Sequence, residues 1–94
     1  MMLTTTAQAG SEKRSDVLVI VSPADGLTVQ LQAKPIILWQ FGQRIESVVR
    51  QVAQEEDVDG ACIQVKDGGG ALDFAIRARV RCALRRAKGD VKDE

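Results

Sequence analysis

The chain has 94 residues, enough for one domain, and its 13 basic and 13 acidic residues give a formal net charge of zero. This balance argues against a nucleic-acid-binding surface. The sequence contains no histidine and no tyrosine, so the commonest general base near neutral pH is absent.

The remaining composition indicates a soluble cytoplasmic protein without a metal site. Cys62 and Cys82 do not have the spacing of a metal site or a redox pair, so we expect ordinary reduced thiols. The first residues lack the apolar stretch of a secretory signal. The longest aliphatic run, Val17–Val21, is far shorter than the roughly 20 residues of a membrane helix.

The first half of the chain predicts an arm followed by two strands. Residues 1–16 are polar and patternless, which predicts a flexible N-terminal arm. The β-branched run Val17–Val21 predicts a strand with both faces largely covered, and the alternation over Leu27–Gln32 predicts a half-buried strand. Turn residues Ala24–Gly26 separate the two runs, so we expect a hairpin.

Two helices and a third strand follow. Pro35 suits the first turn of a helix that continues to the acidic run at Glu55. Its apolar stripe is Phe41, Ile45, Val48 and Val52, widened by Leu38 and Val49. Residues 61–66 predict a strand, residues 67–70 a tight turn, and residues 71–88 a helix that stops at Gly89. The stripe of this second helix is Leu72, Ile76, Val80, Ala83 and Ala87.

The predicted order is therefore β-β-α-β-α. We expect an α+β fold, a small single domain in which a three-stranded sheet has two helices packed on one face. The predicted boundaries are a flexible arm over residues 1–16, a folded domain over residues 17–88 and a disordered C-terminal tail over residues 89–94.

Several short segments, in order and at consistent spacing, form a family pattern. They are Ala9-Gly10 with Ser15-Asp16-Val17, Ser22-Pro23, Gln40-Phe41-Gly42, and a run from Gly70-Ala71-Leu72-Asp73 through Ile76-Arg77-Ala78-Arg79 to Ala83-Leu84-Arg85-Arg86-Ala87. Together they resemble the citrate lyase acyl carrier protein (gamma subunit) family over about residues 7–87. The last run favours the citrate lyase branch over the malonate decarboxylase carrier, which uses the same prosthetic arm.

The resemblance implies a non-catalytic subunit of a lyase complex. In this family a phosphoribosyl-dephospho-CoA arm is joined covalently, through a phosphodiester, to a serine hydroxyl. The terminal thiol of the arm carries acetyl or citryl groups as thioesters between an acyl-transferase subunit and a lyase subunit. A prosthetic-group transferase attaches the arm. From the balanced charge and the absence of a long apolar run, we expect neither a nucleic-acid nor a membrane partner.

The family's attachment position is altered in this chain. Without a gap between Ala9-Gly10 and Asp16-Val17, the modified serine of the family aligns with Arg14, which cannot form a phosphodiester. The next residue, Ser15, is therefore the best candidate acceptor, and Ser11 is a weaker alternative. A serine before an aspartate at a strand start is also a common turn residue. Two alternatives stay open, an unmodified paralogue with a structural or regulatory role and a carrier for a related acid such as malonate.

Two further features suggest contacts with partners. Arg77, Arg81 and Arg85 share one helix face, which predicts docking to an acidic partner or to the phosphates of the arm. The alternative is a solvated face with cations near the negative end of the helix dipole. Trp39 is either an interface anchor, which we favour, or the largest core residue. We expect the acidic residues 55–59 to form a solvated loop.

Overall fold

The computed structural model describes residues 3–13, 15–69 and 72–89. Its elements, in chain order, are β1 (Ala7–Gly10), β2 (Val17–Pro23), β3 (Leu27–Gln32), α1 (Pro35–Glu55), β4 (Ala61–Asp67) and α2 (Asp73–Lys88). The four strands form one sheet in the order β1-β2-β4-β3. Strand β2 is antiparallel to both β1 and β4, whereas β3 is parallel to β4.

The sheet has four strands, so the prediction of three strands in the order β-β-α-β-α is wrong. The additional strand, β1, lies within the segment that was predicted to be an arm. It has no apolar alternation to reveal it, and only Ala9 of its four residues is buried. It is held instead by pairing with β2 and by contact with α2. Just before it, the N–H and hydroxyl of Thr4 donate to the carbonyl oxygen of Ala87, at 3.3 and 3.0 Å.

The predicted hairpin between β2 and β3 is also wrong, because β4 lies between these two strands. Val21 pairs with Ile63 on one side of β4, and Val29 pairs with Ile63 on the other. A parallel neighbour requires a crossover connection of a dozen or more residues. The 21-residue helix α1 supplies that crossover between β3 and β4. The hairpin was predicted because β2 and β3 are close along the chain. Helix α1 instead allows β4 to lie between them and to pair in parallel with β3.

The two helices contact each other and cover one face of the sheet. The strands bury alternate residues toward this face, and the core lies between the sheet and the helices. Its largest fully buried side chains are Ile63, Ile76, Leu84, Val17, Val19, Val21, Val49, Val52 and Val80. Strand β2 is half-buried, not covered, on its other face. Phe41 and Leu72, predicted to belong to the buried stripes, are 46% and 61% exposed.

The end of α2 follows the sequence prediction. Gly89 adopts a φ of 80°, and its N–H donates to the carbonyl oxygen of Arg86 at 3.1 Å. The remainder of the predicted C-terminal tail, residues 90–94, lies outside the described residues. Within the part of the chain that the structure describes, no helix is long and apolar enough to cross a membrane.

Candidate functional site

One end of the domain, which we call the open end, brings together the loop between β1 and β2 and the starts of both helices. Val17 at the start of β2 pairs with Asp67 at the end of β4, and Gln32 at the end of β3 pairs with Lys66. Helix α1 begins directly after β3, and α2 follows the turn after β4. The loop between β1 and β2 is therefore at the same end of the domain as the first turns of the helices.

Both candidate acceptor serines lie in this loop, and Arg14 lies outside the described residues. Ser15 is exposed and adopts a φ of 65°, a left-handed conformation that is uncommon for residues other than glycine. Its backbone N–H donates to the carbonyl oxygen of Gly69 at 3.2 Å, and the N–H of Gly68 donates to the carbonyl oxygen of Asp16 at 3.1 Å. These bonds attach the loop to the turn after β4.

The loop and the turn approach each other so closely that glycine is required at position 68. A Cβ atom there would collide with the carbonyl oxygens of Lys13 and Glu12. Gly10, at the start of the loop, has a φ of 89°, and a Cβ there would collide with the carbonyl oxygen of Val17. The backbone path of the loop is therefore constrained at its start by Gly10 and near Glu12 and Lys13 by Gly68.

The carboxylate of Asp16 accepts hydrogen bonds from three residues of the loop, β2 and α2. We call Asp16 and these partners, Ser11, Val17 and Arg79, the Asp16 network. The hydroxyl of Ser11 donates to Asp16 Oδ2 at 2.7 Å, and the N–H of Val17 donates to Oδ1 at 2.7 Å. Arg79 on α2 donates from Nε to Oδ1 at 3.1 Å and from Nη2 to Oδ2 at 3.3 Å. The Ser11 hydroxyl, followed by the Val17 N–H and Arg79, lowers the pKa of Asp16 from 3.8 to about 2.

The two serine hydroxyls consequently differ. Ser11 Oγ donates to Asp16 and accepts from the backbone N–H of Lys13 at 3.3 Å. The hydroxyl of Ser15 makes no hydrogen bond to any of the residues that the structure describes. Asp16 is ionised at neutral pH, and its low pKa makes it a weak general base for Ser11. Ser15 is thus the more accessible hydroxyl of the loop.

Arg79 is a site residue that the sequence analysis did not single out. It lies outside the row formed by Arg77, Arg81 and Arg85, and 63 residues separate it from Asp16 along the chain. No local pattern links residues at such a separation. Arg86, which also lies outside that row, donates from Nη1 to the backbone carbonyl oxygen of Gln8 on β1 at 2.8 Å.

The predicted docking residues Arg77, Arg81 and Arg85 form ion pairs with acidic residues at the end of α1. Arg81 Nη2 lies 2.6 Å from Glu55 Oε1, and Arg81 Nε lies 3.3 Å from Glu56 Oε2. Arg85 Nε lies 2.9 Å from Glu56 Oε1, and Arg77 Nη1 lies 3.9 Å from Glu55 Oε2. The three arginine side chains remain 34–50% exposed. The three arginines therefore link α2 to the end of α1 by ion pairs, and each side chain remains partly exposed to solvent.

Glu56 lies at the centre of these contacts. Its side chain is only 10% exposed, and the ammonium group of Lys88 lies 3.6 Å from Oε1. The hydrogen bond from Arg85 is the largest cause that lowers the pKa of Glu56, and the charges of Arg85, Lys88 and Arg81 lower it further. The acidic segment that was predicted to be a solvated loop thus begins with two residues that pair with α2.

An apolar groove of about 690 Å³ lies between the starts of α1 and α2, and its lining includes Phe41, Leu72 and Phe74. Arg44 and Asp73 also line it, with Arg44 Nη2 2.6 Å from Asp73 Oδ2. The hydrogen bond from Arg44 lowers the pKa of Asp73. Trp39, 82% exposed, is not a core residue, so that alternative is excluded. Its role as an interface anchor stays a prediction.

The family model described as "ACP: Malonate decarboxylase delta subunit (MdcD)" matches residues 4–87. The chain belongs to this family of acyl carrier proteins. The resemblance to the citrate lyase carriers is confirmed by relatives that bear that name. The citrate lyase acyl carrier protein of Streptococcus uberis is 41% identical over 85 residues, covering 89% of the chain and 81% of that protein. That of Pectobacterium atrosepticum is 43% identical over 88 residues, covering 93% and 88%.

The fold has a counterpart among solved structures. A crystal structure of a protein from Thermus thermophilus matches the chain with a TM-score of 0.61 and 17% identity. The match covers 94% of the chain and 16% of that much longer chain. A likeness at this identity supports the fold alone. Within residues 3–13, 15–69 and 72–89, no three His, Cys, Asp or Glu side chains form a group that could hold a metal ion.

Proposed function

We propose that the chain is the acyl carrier subunit of a citrate lyase-like complex and carries a phosphoribosyl-dephospho-CoA arm on Ser15. Membership of the acyl carrier family supports the carrier role. The observation that carries the proposed site is the exposed hydroxyl of Ser15, one residue after the family's attachment position. When bound, the arm supplies a terminal thiol that holds acetyl or citryl as a thioester.

The residues of the loop fit the group at Ser15 and not at position 14. A phosphodiester needs a hydroxyl, and Arg14 has none. Ser15 offers a hydroxyl that an attaching enzyme can approach from solvent, whereas the hydroxyl of Ser11 is engaged by Asp16. The Asp16 network and the bonds to the turn after β4 fix the base of the loop. An arm on Ser15 would therefore move about a fixed point, which raises its effective concentration at nearby active sites.

The partners of such a carrier are a lyase subunit, an acyl-transferase subunit and a prosthetic-group transferase, acting in the cytoplasm. The chain itself lacks histidine and tyrosine, which fits a carrier whose reactions are catalysed by other subunits. Arg77, Arg81 and Arg85 would contribute docking contacts to an acidic partner surface or to the phosphates of the arm.

A second candidate function is an unmodified paralogue that acts as a structural or regulatory subunit of the complex. Arg14 at the family's attachment position favours it. The identity of the acid is a further alternative, because the matching family model is described as a malonate decarboxylase subunit while the relatives are named for citrate lyase.

The decisive experiment is the intact mass of the protein from its native host, grown on the substrate with the partner subunits present, followed by peptide mapping of residues 1–17. We expect the mass to increase by that of the arm, with the modification on Ser15. Ser15→Ala should abolish the increase, and Ser11→Ala, the matched control in the same loop, should retain it. An unmodified wild-type protein under these conditions would instead support the paralogue.

A further inference from the structure

All three aromatic residues of the chain are exposed, and they lie at the open end. Trp39, Phe41 and Phe74 are 82%, 46% and 71% exposed. Aromatic side chains gain the most from burial, yet the described core contains none of them. The first turns of the two helices also expose Ile36, Leu38 and Leu72. We call these six residues the apolar end.

A small movement of the residues that the structure describes would not cover the apolar end. Successive residues of an α-helix are rotated by about 100°, so Trp39 and Phe41 face nearly opposite sides of α1. Phe41 lines the groove with Phe74, whereas Trp39 is not part of its lining. Closure of the groove would leave Trp39 in water. An exposed patch of large apolar side chains commonly marks an interaction site.

The size and charge of the apolar end match a protein interface. Its six side chains expose roughly 600 Å², taking about 150–250 Å² for each large side chain. A specific interface buries about 800 Å² on each partner. The exposed area of the apolar end therefore approaches the area that one partner contributes to a standard interface. Residues 35–43 carry no charge, and the Arg44–Asp73 ion pair lies beside them in the groove. Aromatic anchors with charges at the margin are typical of such interfaces.

The position of the apolar end indicates which protein covers it. The loop with Ser15 is bonded to the turn after β4, and Asp67 of that strand end lines the groove. A protein bound at the apolar end is therefore brought next to the loop. A second copy of this chain bound there would occupy the surface next to the loop, where a carrier needs its catalytic subunits to bind.

We propose that the apolar end is the docking surface for a catalytic subunit of the complex, which encloses the start of α1 in an apolar cleft. This inference rests on the proposed carrier function. The apolar end supplies the contact, and the adjacent loop presents whatever is attached to Ser15 to the active site of the bound subunit.

The test replaces Trp39 and Phe74 together by glutamine. Both side chains are largely exposed, so we expect an unchanged melting temperature. Affinity for the purified lyase and acyl-transferase subunits of the same host should fall by about tenfold or more for at least one of them. Modification of the variant by the prosthetic-group transferase, followed by intact mass, should match that of the wild type. A control variant, Arg50→Gln with Gln54→Ala, changes two exposed residues nearer the other end of α1 and should bind normally.

The outcomes separate this inference from the proposed function. If the wild type is never modified but the Trp39/Phe74 variant loses affinity, the carrier proposal fails while the docking surface stands. If the variant binds both subunits with wild-type affinity, the docking surface is wrong. If sedimentation shows a wild-type dimer that the variant does not form, the apolar end is a self-association surface and the proposal is overturned.

Discussion

Asp16 connects the loop between β1 and β2 to α2, because it accepts hydrogen bonds from Ser11 and Arg79. We predict that Ser11→Ala raises the pKa of Asp16 from about 2 toward its ordinary value of 3.8, and that Arg79→Gln raises it by less. The hydroxyl of Ser11 is the largest cause of the lowered pKa, and the guanidinium of Arg79 contributes after the Val17 N–H. A titration of the Asp16 carboxyl carbon by NMR measures both variants.

The same shift defines a pH dependence. A carboxyl group whose pKa is lower in the folded state stabilises the fold above its unfolded pKa, and this contribution is lost as the pH falls through the folded value. For Asp16 the window extends from about pH 4 to about pH 2. The protection factors of the loop amides, which compare each observed exchange rate with the intrinsic rate at the same pH, should therefore fall across this window in the wild type. A larger pKa change in Arg79→Gln than in Ser11→Ala would contradict the assignment.

At the residue scale, the sequence identified the candidate serines but did not predict the hydrogen bonds around them. The family pattern was sufficient to name Ser15 and Ser11 as candidates and to identify the substitution at Arg14. The difference between the two hydroxyls depends on Asp16 and on Arg79, which is 63 residues away along the chain. The left-handed conformation of Ser15 likewise follows from bonds to the turn after β4, which only the folded chain brings into contact.

At the scale of elements, hydrophobic periodicity located α1, α2 and three strands, because each buries a regular stripe or alternating face. It missed β1, whose sequence of two alanines, one glutamine and one glycine has no such signal. It also misplaced Phe41 and Leu72, since periodicity cannot tell which turns of an apolar stripe reach the core. These two residues belong to the apolar end, where the pattern continues but the core does not.

The packing of α1 against α2 gives a prediction for Glu56. Glu56→Gln should lower the free energy of unfolding at pH 7 by about 1–2 kcal/mol, because a nearly buried carboxylate accepts charged hydrogen bonds from Arg85 and lies close to Lys88. Chemical denaturation at several pH values measures the effect. Since the fold lowers the pKa of Glu56, its contribution is present above the ordinary value of 4.5 and is lost as the pH falls below it.

Glu46→Gln is the matched control for this prediction. Glu46 pairs with Arg50 at 2.9 Å on the same helix, but both side chains are 45% exposed. Exposed pairs of this kind contribute less than about 0.5 kcal/mol. Equal losses in the two variants would show that burial of Glu56 does not strengthen its ion pairs. The difference between the variants should also shrink in acid, where Glu56 is protonated in both states.

At the scale of the whole molecule, two surfaces among the described residues are candidates for contact with partner subunits. The apolar end lies near the loop that contains Ser15, and the row of Arg77, Arg81 and Arg85 forms ion pairs between the two helices. These arginines already bind carboxylates of α1, so their charge is partly neutralised within the chain. A role in docking would require them to contact a partner with the part of each guanidinium that remains exposed.

We predict that replacing Arg77, Arg81 and Arg85 together by glutamine weakens assembly with the lyase and transferase subunits. The variant also loses ion pairs to Glu55 and Glu56, so reduced assembly alone would not separate docking from loosened helix packing. A second variant, Glu55→Gln with Glu56→Gln, removes the same ion pairs and retains the arginines. If the row docks partners, this variant should assemble as well as the wild type or better, because its guanidinium groups are released. Equal weakening in both variants, measured by sedimentation of the assembled complex and compared with their unfolding free energies, would instead assign the row to helix packing and leave the apolar end as the docking surface.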